Sequence, residues 1–213
     1  MEVVIIGGGG HGREMAALLQ RMQGAGSPIQ AMGFVDNKME LCGQTLQNLP
    51  VLGDLEWARN HIHDYAFVCA IGNPAARREV VRQLDPLRIK WVSLIDPDAP
   101  VPPDTILGTG CMVCAGTRMT THIQIGRHAI VNLGCTLSHD LDLGDYATLA
   151  CGVHLSGNVT IGEGAELGVG TNVIQGITIG EWSIIGAGAT VIDDVPPRVT
   201  AVGVPAKVTK KHP

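Results

Sequence analysis

The chain has 213 residues, of which 45% are hydrophobic and only 3% aromatic, with a formal net charge of −5 at pH 7. A chain of this length can bury one large core or two modest ones. The acidic balance disfavours a nucleic-acid partner, which binds to a basic surface. No apolar run approaches the ~20 residues that span a bilayer, and the N-terminus lacks a signal-peptide pattern, so we expect a cytoplasmic protein.

The first half of the chain predicts a small nucleotide-binding unit. An apolar, strand-like run at 3–6 is followed by Gly-Gly-Gly-Gly-His-Gly at 7–12 and a helical pattern over 13–23. The glycines at positions 7, 9 and 12 fit the G-x-G-x-x-G loop, which lets a diphosphate approach the backbone at a helix N-terminus. The motif alone also suits NAD, but the unit is only about half of a full dinucleotide domain. We therefore expect it to bind one nucleotide diphosphate.

Two further strands are predicted at 30–35 and 66–71, and each is followed by polar residues. Asp36-Asn37 follow the first, at the place where an acidic residue commonly binds ribose hydroxyls; a solvent-facing turn is the alternative for Asp36. Gly72-Asn73 follow the second, and Pro74 begins a helix over 74–84. A fourth strand, around residues 90–94, leads through a proline-rich stretch into the second half.

The second half contains a repeat of six residues. An aliphatic residue or Met stands at every sixth position from Leu107 to Val191, without a break in register. A second period, of eighteen residues, is superimposed on the period of six, because glycine follows the aliphatic residue in every third hexapeptide, from Gly108 to Gly180. Eighteen residues therefore predict one triangular coil of three short strands, and each coil buries its aliphatic side chains against its neighbours.

These patterns predict an α/β N-terminal half-Rossmann (βαβαβ) domain followed by an all-β left-handed parallel β-helix of hexapeptide repeats. We expect a nucleotide-binding domain at residues 1–94 and the β-helix domain at residues 95–195. Residues 196–213 are expected to form a C-terminal tail.

One corner of the predicted coil combines the groups that acyl transfer needs, namely a base for the nucleophile and a donor for the oxyanion. His139 and Asp140 follow the inward-facing Leu137 at this corner, and Asp140 could orient the imidazole of His139. Gly157 occupies the same corner one coil later, and we expect its N–H to be exposed. His139, Asp140 and Gly157 are the predicted catalytic residues.

The other histidines of the β-helix carry weaker signals. We expect His128, in a column with Tyr146 and Trp182, to be a solvated surface residue. Roles for His122 and His154 stay open. Several histidines on adjacent coils also suit a metal-dependent, carbonic-anhydrase-like β-helix with ligands shared across subunits.

Two further interpretations concern the cysteines and the fold itself. Cys111 and Cys114 form a CxxC but lack the second pair or spaced histidines of a zinc site, so we expect reduced structural thiols and no metal. A non-catalytic nucleotide-sensing scaffold is a remaining alternative, because a fold does not determine a function.

Taken together, the motifs resemble the bacterial nucleotide-amino-sugar N-acetyltransferases and sialic-acid O-acetyltransferases, which are hexapeptide-repeat acyltransferases. The resemblance rests on the GGGGHG start, Gly-Phe-Val-Asp-Asn at 33–37, Ala-Ile-Gly-Asn at 70–73, Ser-His-Asp at 138–140, Gly-Asn at 157–158 and Gly-Val-Pro-Ala-Lys at 203–207. It implies an acetyl-CoA-dependent N-acetyltransferase of glycan biosynthesis acting on a UDP- or dTDP-linked 4-amino-deoxy sugar. O-acetylation of a sugar or sialic acid is the alternative. It also implies a homotrimer with active sites at the subunit interfaces.

The resemblance further implies roles for individual residues. His139 would be the general base, supported by Asp140, while Gly157 would donate its N–H to the acetyl carbonyl. The nucleotide sugar is expected on Gly8, Gly9, Gly10, His11, Asp36, Asn37, Gly72 and Asn73. Coenzyme A is expected along Gly157, Gly168, Gly170, Gly186, Gly203, Pro205 and Lys207. Two departures are that Asp140 replaces the glutamate of some members, and that Ala147-Thr148 stand where some members have a second histidine.

Overall fold

The computed structural model describes residues 1–213, which divide into two compact units, residues 1–97 and residues 98–213. This division lies close to the boundary expected between residues 94 and 95. The first unit is α/β and the second is all-β. The elements of the first unit are β1 (Glu2–Ile6), α1 (Gly10–Gly24), β2 (Gln30–Val35), β3 (Thr45–Leu46), β4 (Leu49–Gly53), α2 (Leu55–Asn60), β5 (Ala66–Cys69), α3 (Pro74–Leu84) and β6 (Leu94–Ile95), with 3-10 turns at Met39–Leu41 and Asp85–Leu87. None of the helices is both long and apolar enough to cross a membrane.

The sheet of the first unit has the order β3-β4-β2-β1-β5, with β1 parallel to β2 and to β5. Val3 to Ile6 of β1, an interior strand of this sheet, are buried, as expected for a parallel strand covered on both faces. The antiparallel β3–β4 hairpin and the short helix α2 were not among the elements predicted from the sequence. The carboxyl ends of β1, β2 and β5 meet at one edge, which is where ligands bind in open parallel sheets.

The glycine loop packs α1 closely onto the end of β1. Gly7 adopts φ +108°, and its N–H donates to the Val35 carbonyl at 2.8 Å. A Cβ at Gly12 would lie 1.8 Å from the Gly7 carbonyl oxygen. The first turn of α1 therefore reaches the β1 end only because position 12 has no side chain.

Replacing Gly12 with alanine is expected to destabilise the first unit by about 1–3 kcal/mol, the usual cost of forcing a methyl group into a packed site. Gly10 provides the matched control, since a Cβ there meets no atom within 4 Å. Thermal unfolding of both variants measures the difference. A Gly12→Ala protein that melts with the wild type would contradict the close packing of Gly12 on Gly7.

The second unit is a left-handed parallel β-helix whose coils each contribute three short strands. The first face contains β7 (Ile106–Leu107), β10 (Ile123–Ile125), β13 (Leu141–Leu143), β16 (Thr160–Ile161) and β19 (Thr178–Ile179). The second face runs through β8 (Met112–Val113), β11 (Ile130–Val131), β14 (Thr148–Leu149), β17 (Glu166–Leu167) and β20 (Ile184–Ile185). The third contains β9 (Arg118–Met119), β12 (Thr136–Leu137), β15 (His154–Leu155), β18 (Asn172–Val173) and β21 (Thr190–Val191).

The strands of each face pair in parallel at a register of eighteen, as in Ile123↔Leu141 and Thr136↔His154. The segment expected as a tail contains two more strands, β22 (Val199–Val202) and β23 (Lys207–Lys211). β22 continues the second face in parallel beyond β20, and β23 returns antiparallel along β22. The last turns of the chain therefore cap this end of the β-helix.

The core of the β-helix follows the repeat. From Ile125 to Val191, every aliphatic residue of the six-residue series is buried. Four positions after the aliphatic residue, one hexapeptide of each coil has a small side chain and another has a bulky one. Both kinds of side chain are buried. The small column is Cys111, Ala129, Ala147, Ala165 and Ser183, and the bulky column is Ile123, Leu141, Val159, Ile177 and Val195. Side chains of like size thus stack from coil to coil, as the period of eighteen predicts.

The coil corners use residues in the left-handed backbone region. At one corner His122, Asp140 and Asn158 have φ values of 53°, 56° and 58° on successive coils. Histidine, aspartate and asparagine enter this region more readily than other residues with a side chain. The repeat therefore places polar side chains in a column along this corner.

A second corner contains a buried aromatic column. His128 is 0% exposed and stacks on Tyr146 with ring centroids 5.6 Å apart. A Cβ at Gly110, one coil earlier, would lie 2.4 Å from Nδ1 of His128, so the ring fills the space above that glycine. The prediction of a solvated His128 is wrong, because neighbouring coils enclose the ring.

Candidate active site

A pocket of about 480 Å³ opens at the carboxyl ends of β1, β2 and β5. This volume is in the range of small-molecule sites. Six of the predicted nucleotide-sugar residues line it, namely Gly9, Gly10, His11, Asp36, Asn37 and Gly72. The other two, Gly8 and Asn73, lie outside its lining. The structure therefore brings the glycine loop and the residues after β2 and β5 into one cavity.

Asp36 ties together the loops that form this cavity. Its Oδ2 accepts a hydrogen bond from the Gly8 N–H at 2.7 Å, and its Oδ1 accepts one from the Lys38 N–H at 2.9 Å. Asn37 similarly accepts from the Leu55 N–H, and Asn73 caps α3 by accepting from the N–H of Ala76. By accepting hydrogen bonds from backbone N–H groups, the side chains of Asp36, Asn37 and Asn73 hold the loops around the pocket in place.

His11 lines the pocket, and one of its ring nitrogens has no hydrogen-bond partner. Its Nδ1 lies 3.0 Å from Oε2 of Glu14. Because a carboxylate only accepts, Nδ1 carries the proton and Nε2 carries the lone pair. Nε2 is buried and has no hydrogen-bond partner. Burial lowers the pKa of His11, against the opposing effect of Glu14, so the ring is neutral at pH 7.

Two charged residues of this region were not identified from the sequence. Arg77 of α3 is fully buried, and its Nη1 donates to the carbonyls of Ile71 and Gly72 at 2.7 and 2.8 Å. It thereby fixes the loop after β5. Lys38 lines the pocket beside Asp36. The helical register places Arg77 on the buried face of α3 with Pro74, Val81 and Leu84, whereas Arg78 is exposed, so this spacing was a signal in the sequence.

The second unit places a histidine and a carboxylate together at a coil corner. Nδ1 of His139 lies 2.8 Å from Oδ2 of Asp140, and the two side chains are 55% and 49% exposed. The hydrogen bond from His139 holds the pKa of Asp140 below its usual value. Since Asp140 is ionised and only accepts, the proton of a neutral His139 resides on Nδ1. Nε2 is then free to accept a proton.

The imidazole of His139 lies directly against Gly157 on the next coil. A Cβ at Gly157 would lie 2.4 Å from Cε1 and 2.5 Å from Nε2 of His139. The Gly157 carbonyl accepts a hydrogen bond from the Gly176 N–H, whereas its own N–H donates to no protein group. Gly157 is buried rather than exposed as expected, because the His139 ring covers it.

The glycines expected to contact coenzyme A have a packing role. A Cβ at Gly168 would lie 2.6 Å from the Ala187 nitrogen, and one at Gly186 would lie 2.6 Å from a methyl group of Val202. Gly170 adopts φ +68°, which favours glycine at its corner. Gly168 and Gly186 therefore let neighbouring coils approach closely, whereas Gly170 serves the turn of the backbone.

The remaining residues expected to contact coenzyme A lie in the segment between β22 and β23. Gly203 has φ +100°, and its carbonyl accepts from the Thr190 N–H at 3.1 Å. Pro205 follows in a cis peptide bond. Lys207 pairs with Asp193 at 3.2 Å. The segment is thus bound back onto the last full coil.

The cysteines of the chain are all free thiols. Burial raises the pKa of Cys69 to about 12 and that of Cys135 to about 11, so both are protonated at neutral pH. Cys111 and Cys114 are buried. No three His, Cys, Asp or Glu side chains converge in an arrangement that could hold a metal ion. At the His139 corner, the imidazole of His139 contacts the Asp140 carboxylate and the backbone of Gly157.

A hexapeptide-repeat β-helix with such a corner, joined to a half-Rossmann unit, is the architecture of an acyltransferase. Residues 2–84 match the family model of the PglD N-terminal domain. A histidine-to-asparagine variant of perosamine N-acetyltransferase from Caulobacter crescentus, in complex with CoA and GDP-perosamine, is 34% identical over 99% of this chain and 98% of that chain, with a TM-score of 0.89. The chain belongs to the family of bacterial nucleotide-amino-sugar N-acetyltransferases.

Two other solved structures cover the chain to the same extent. The acetyltransferase domain of PglB from Neisseria gonorrhoeae FA1090, in complex with acetyl coenzyme A, is 32% identical over 98% of both chains, with a TM-score of 0.89. WeeI from Acinetobacter baumannii AYE is 29% identical over 98% of this chain and 100% of that chain, with a TM-score of 0.88. No curated protein sequence gives a significant match.

Proposed function

We propose that the chain transfers the acetyl group of acetyl-CoA to the amino group of a nucleotide-linked 4-amino-deoxy sugar, with His139 as the general base. The resemblance implies a UDP or dTDP carrier, and the GDP-perosamine complex of the Caulobacter relative adds GDP as a candidate. The hydrogen bond between His139 and Asp140 carries this proposal, since it leaves Nε2 as a proton acceptor beside Gly157.

The transfer is direct and passes through one tetrahedral intermediate. The sugar nitrogen attacks the thioester carbon and gives its proton to Nε2 of His139. The negative charge of Asp140 stabilises the imidazolium that forms on His139. The Gly157 N–H donates to the oxyanion. The carbon–sulfur bond then breaks, and the CoA thiolate recovers the proton.

The pocket of the first unit is proposed to hold the nucleotide diphosphate. The unpaired N–H groups at the start of α1 favour an anion there. Gly9 is the N-cap of α1 and supplies no side-chain cap, so these donors are open to a ligand.

The assembly is proposed to be a homotrimer with active sites at the subunit interfaces. The resemblance to the family supports this, and so does the half-exposed state of His139 in a single chain. A neighbouring subunit would shield the reacting groups from water, which strengthens the electrostatic interactions of the site. Coenzyme A would extend along the coils near Gly168, Gly170, Gly186 and the segment 203–207.

A panel of substrates tests the proposed function. The purified chain is incubated with acetyl-CoA and UDP-, dTDP- or GDP-linked 4-amino-deoxy sugars, and CoA thiol release is followed. We expect rapid release with one carrier and none with the matched sugar whose 4-amino group is already acetylated. A sugar with a hydroxyl in place of the amine separates N- from O-acetylation. The absence of thiol release with every amino sugar would contradict the proposal.

A further inference from the structure

Aspartate and histidine alternate on three successive coils, in a column at the corner that carries His139. Asp104, His122 and Asp140 are spaced by eighteen residues, so they occupy the same corner position. The column ends beside His139, which bonds Asp140 through its Nδ1. The proposed mechanism assigns no role to Asp104 or His122.

Asp140 is shared between two imidazole rings. Its Oδ2 lies 2.8 Å from Nδ1 of His139, and its Oδ1 lies 3.3 Å from Nδ1 of His122. Both rings contribute to the lowered pKa of Asp140, with the hydrogen bond from His139 the larger effect. A carboxylate with one oxygen directed at each ring has little freedom to rotate.

His122 is in turn held by Asp104. The backbone N–H of His122 donates to Oδ2 of Asp104 at 3.0 Å, and the same oxygen lies 3.8 Å from Nε2 of the ring. The Thr121 hydroxyl also donates to it. These hydrogen bonds, that of Thr121 first, lower the pKa of Asp104, so the carboxylate that accepts from the His122 backbone stays ionised.

We propose that His122 is a positioning residue, which fixes the Asp140 carboxylate and moderates the basicity of His139, and that Asp104 holds His122 in place. This inference rests on the proposed role of His139 as base. A carboxylate that also accepts from His122 stabilises a protonated His139 less than an unshared one does. The shorter reach of Asp140, compared with glutamate, makes such an anchor useful.

Two variants separate positioning from folding. His122→Gly removes the ring, and glycine adopts the left-handed backbone of this corner without strain. His122→Asn keeps a donor near the position of Nδ1 and also tolerates this backbone. We expect His122→Gly to lower kcat about 3- to 10-fold and to move the acid limb of kcat/KM upward by roughly 0.5–1 pH unit, the size expected for losing one charge-assisted partner.

His122→Asn is expected to restore most of the turnover, and the KM values of both substrates to stay near those of the wild type. In an Asp140→Asn background, His122→Gly should change nothing further, because the carboxylate it positions is gone. A His122→Gly enzyme with wild-type kcat and pH profile overturns this inference alone. If His139→Ala also retains activity, the proposed base itself is wrong.

Discussion

Replacing His139 with alanine is expected to lower the turnover number by about 10²-fold or more, the usual loss when a general base is removed. In the proposed mechanism, Nε2 of His139 accepts the amine proton, while Nδ1 is hydrogen-bonded to Asp140. Acetyl-CoA and the nucleotide sugar should still bind, because neither contact depends on a proton transfer. Steady-state kinetics and equilibrium binding measure the two effects separately.

A matched histidine controls for the loss of an exposed imidazole. His63 is exposed in the turn between α2 and β5, away from every residue assigned to the site. His63→Ala should therefore match the wild type in turnover and in melting temperature. Near-normal turnover of His139→Ala with the preferred amino sugar would contradict its assignment as base.

Much of the fold could be predicted because the β-helix repeats its physical requirements. Each coil must bury an aliphatic side chain at each strand and turn sharply at each corner, so a period of six within eighteen is visible from Leu107 to Val191. The glycine loop is similarly local, since the approach of α1 to β1 constrains Gly7 and Gly12 directly. By contrast, β3, β4 and α2 are short and lack periodicity, so they could not be predicted from the sequence.

The candidate site was less predictable, because it depends on contacts between residues far apart in sequence. The column through Asp140 and Asn158 follows from the spacing alone. The direction in which the His139 ring leans does not, so Gly157 was expected to be exposed and is instead covered. His128 shows the same limit, since its burial depends on Gly110 and Tyr146 of the adjacent coils. The predicted division into a nucleotide-sugar domain and an acyltransferase domain stays a prediction.

Substitution of Gly157 by alanine is expected to lower kcat by about 10²-fold with little change in melting temperature, because it displaces the general base. A Cβ at this position would lie 2.4 Å from the His139 ring, and the ring, as the end of a mobile side chain, is the group that moves. The coil itself accepts a side chain here. Thr121 and Gln175 occupy the same corner on other coils, and Gly157 does not adopt a positive φ.

A double variant decides whether Gly157 acts through the His139 ring. If the alanine methyl only displaces the imidazole, His139→Ala/Gly157→Ala should have the same kcat as His139→Ala alone, since the displaced group is absent. The two losses would multiply if the substitution also disturbed the Gly157 N–H at the oxyanion. The single variant should keep its affinity for acetyl-CoA, which equilibrium binding measures. A Gly157→Ala enzyme with wild-type turnover would show that the ring does not need to lie against this glycine during the reaction.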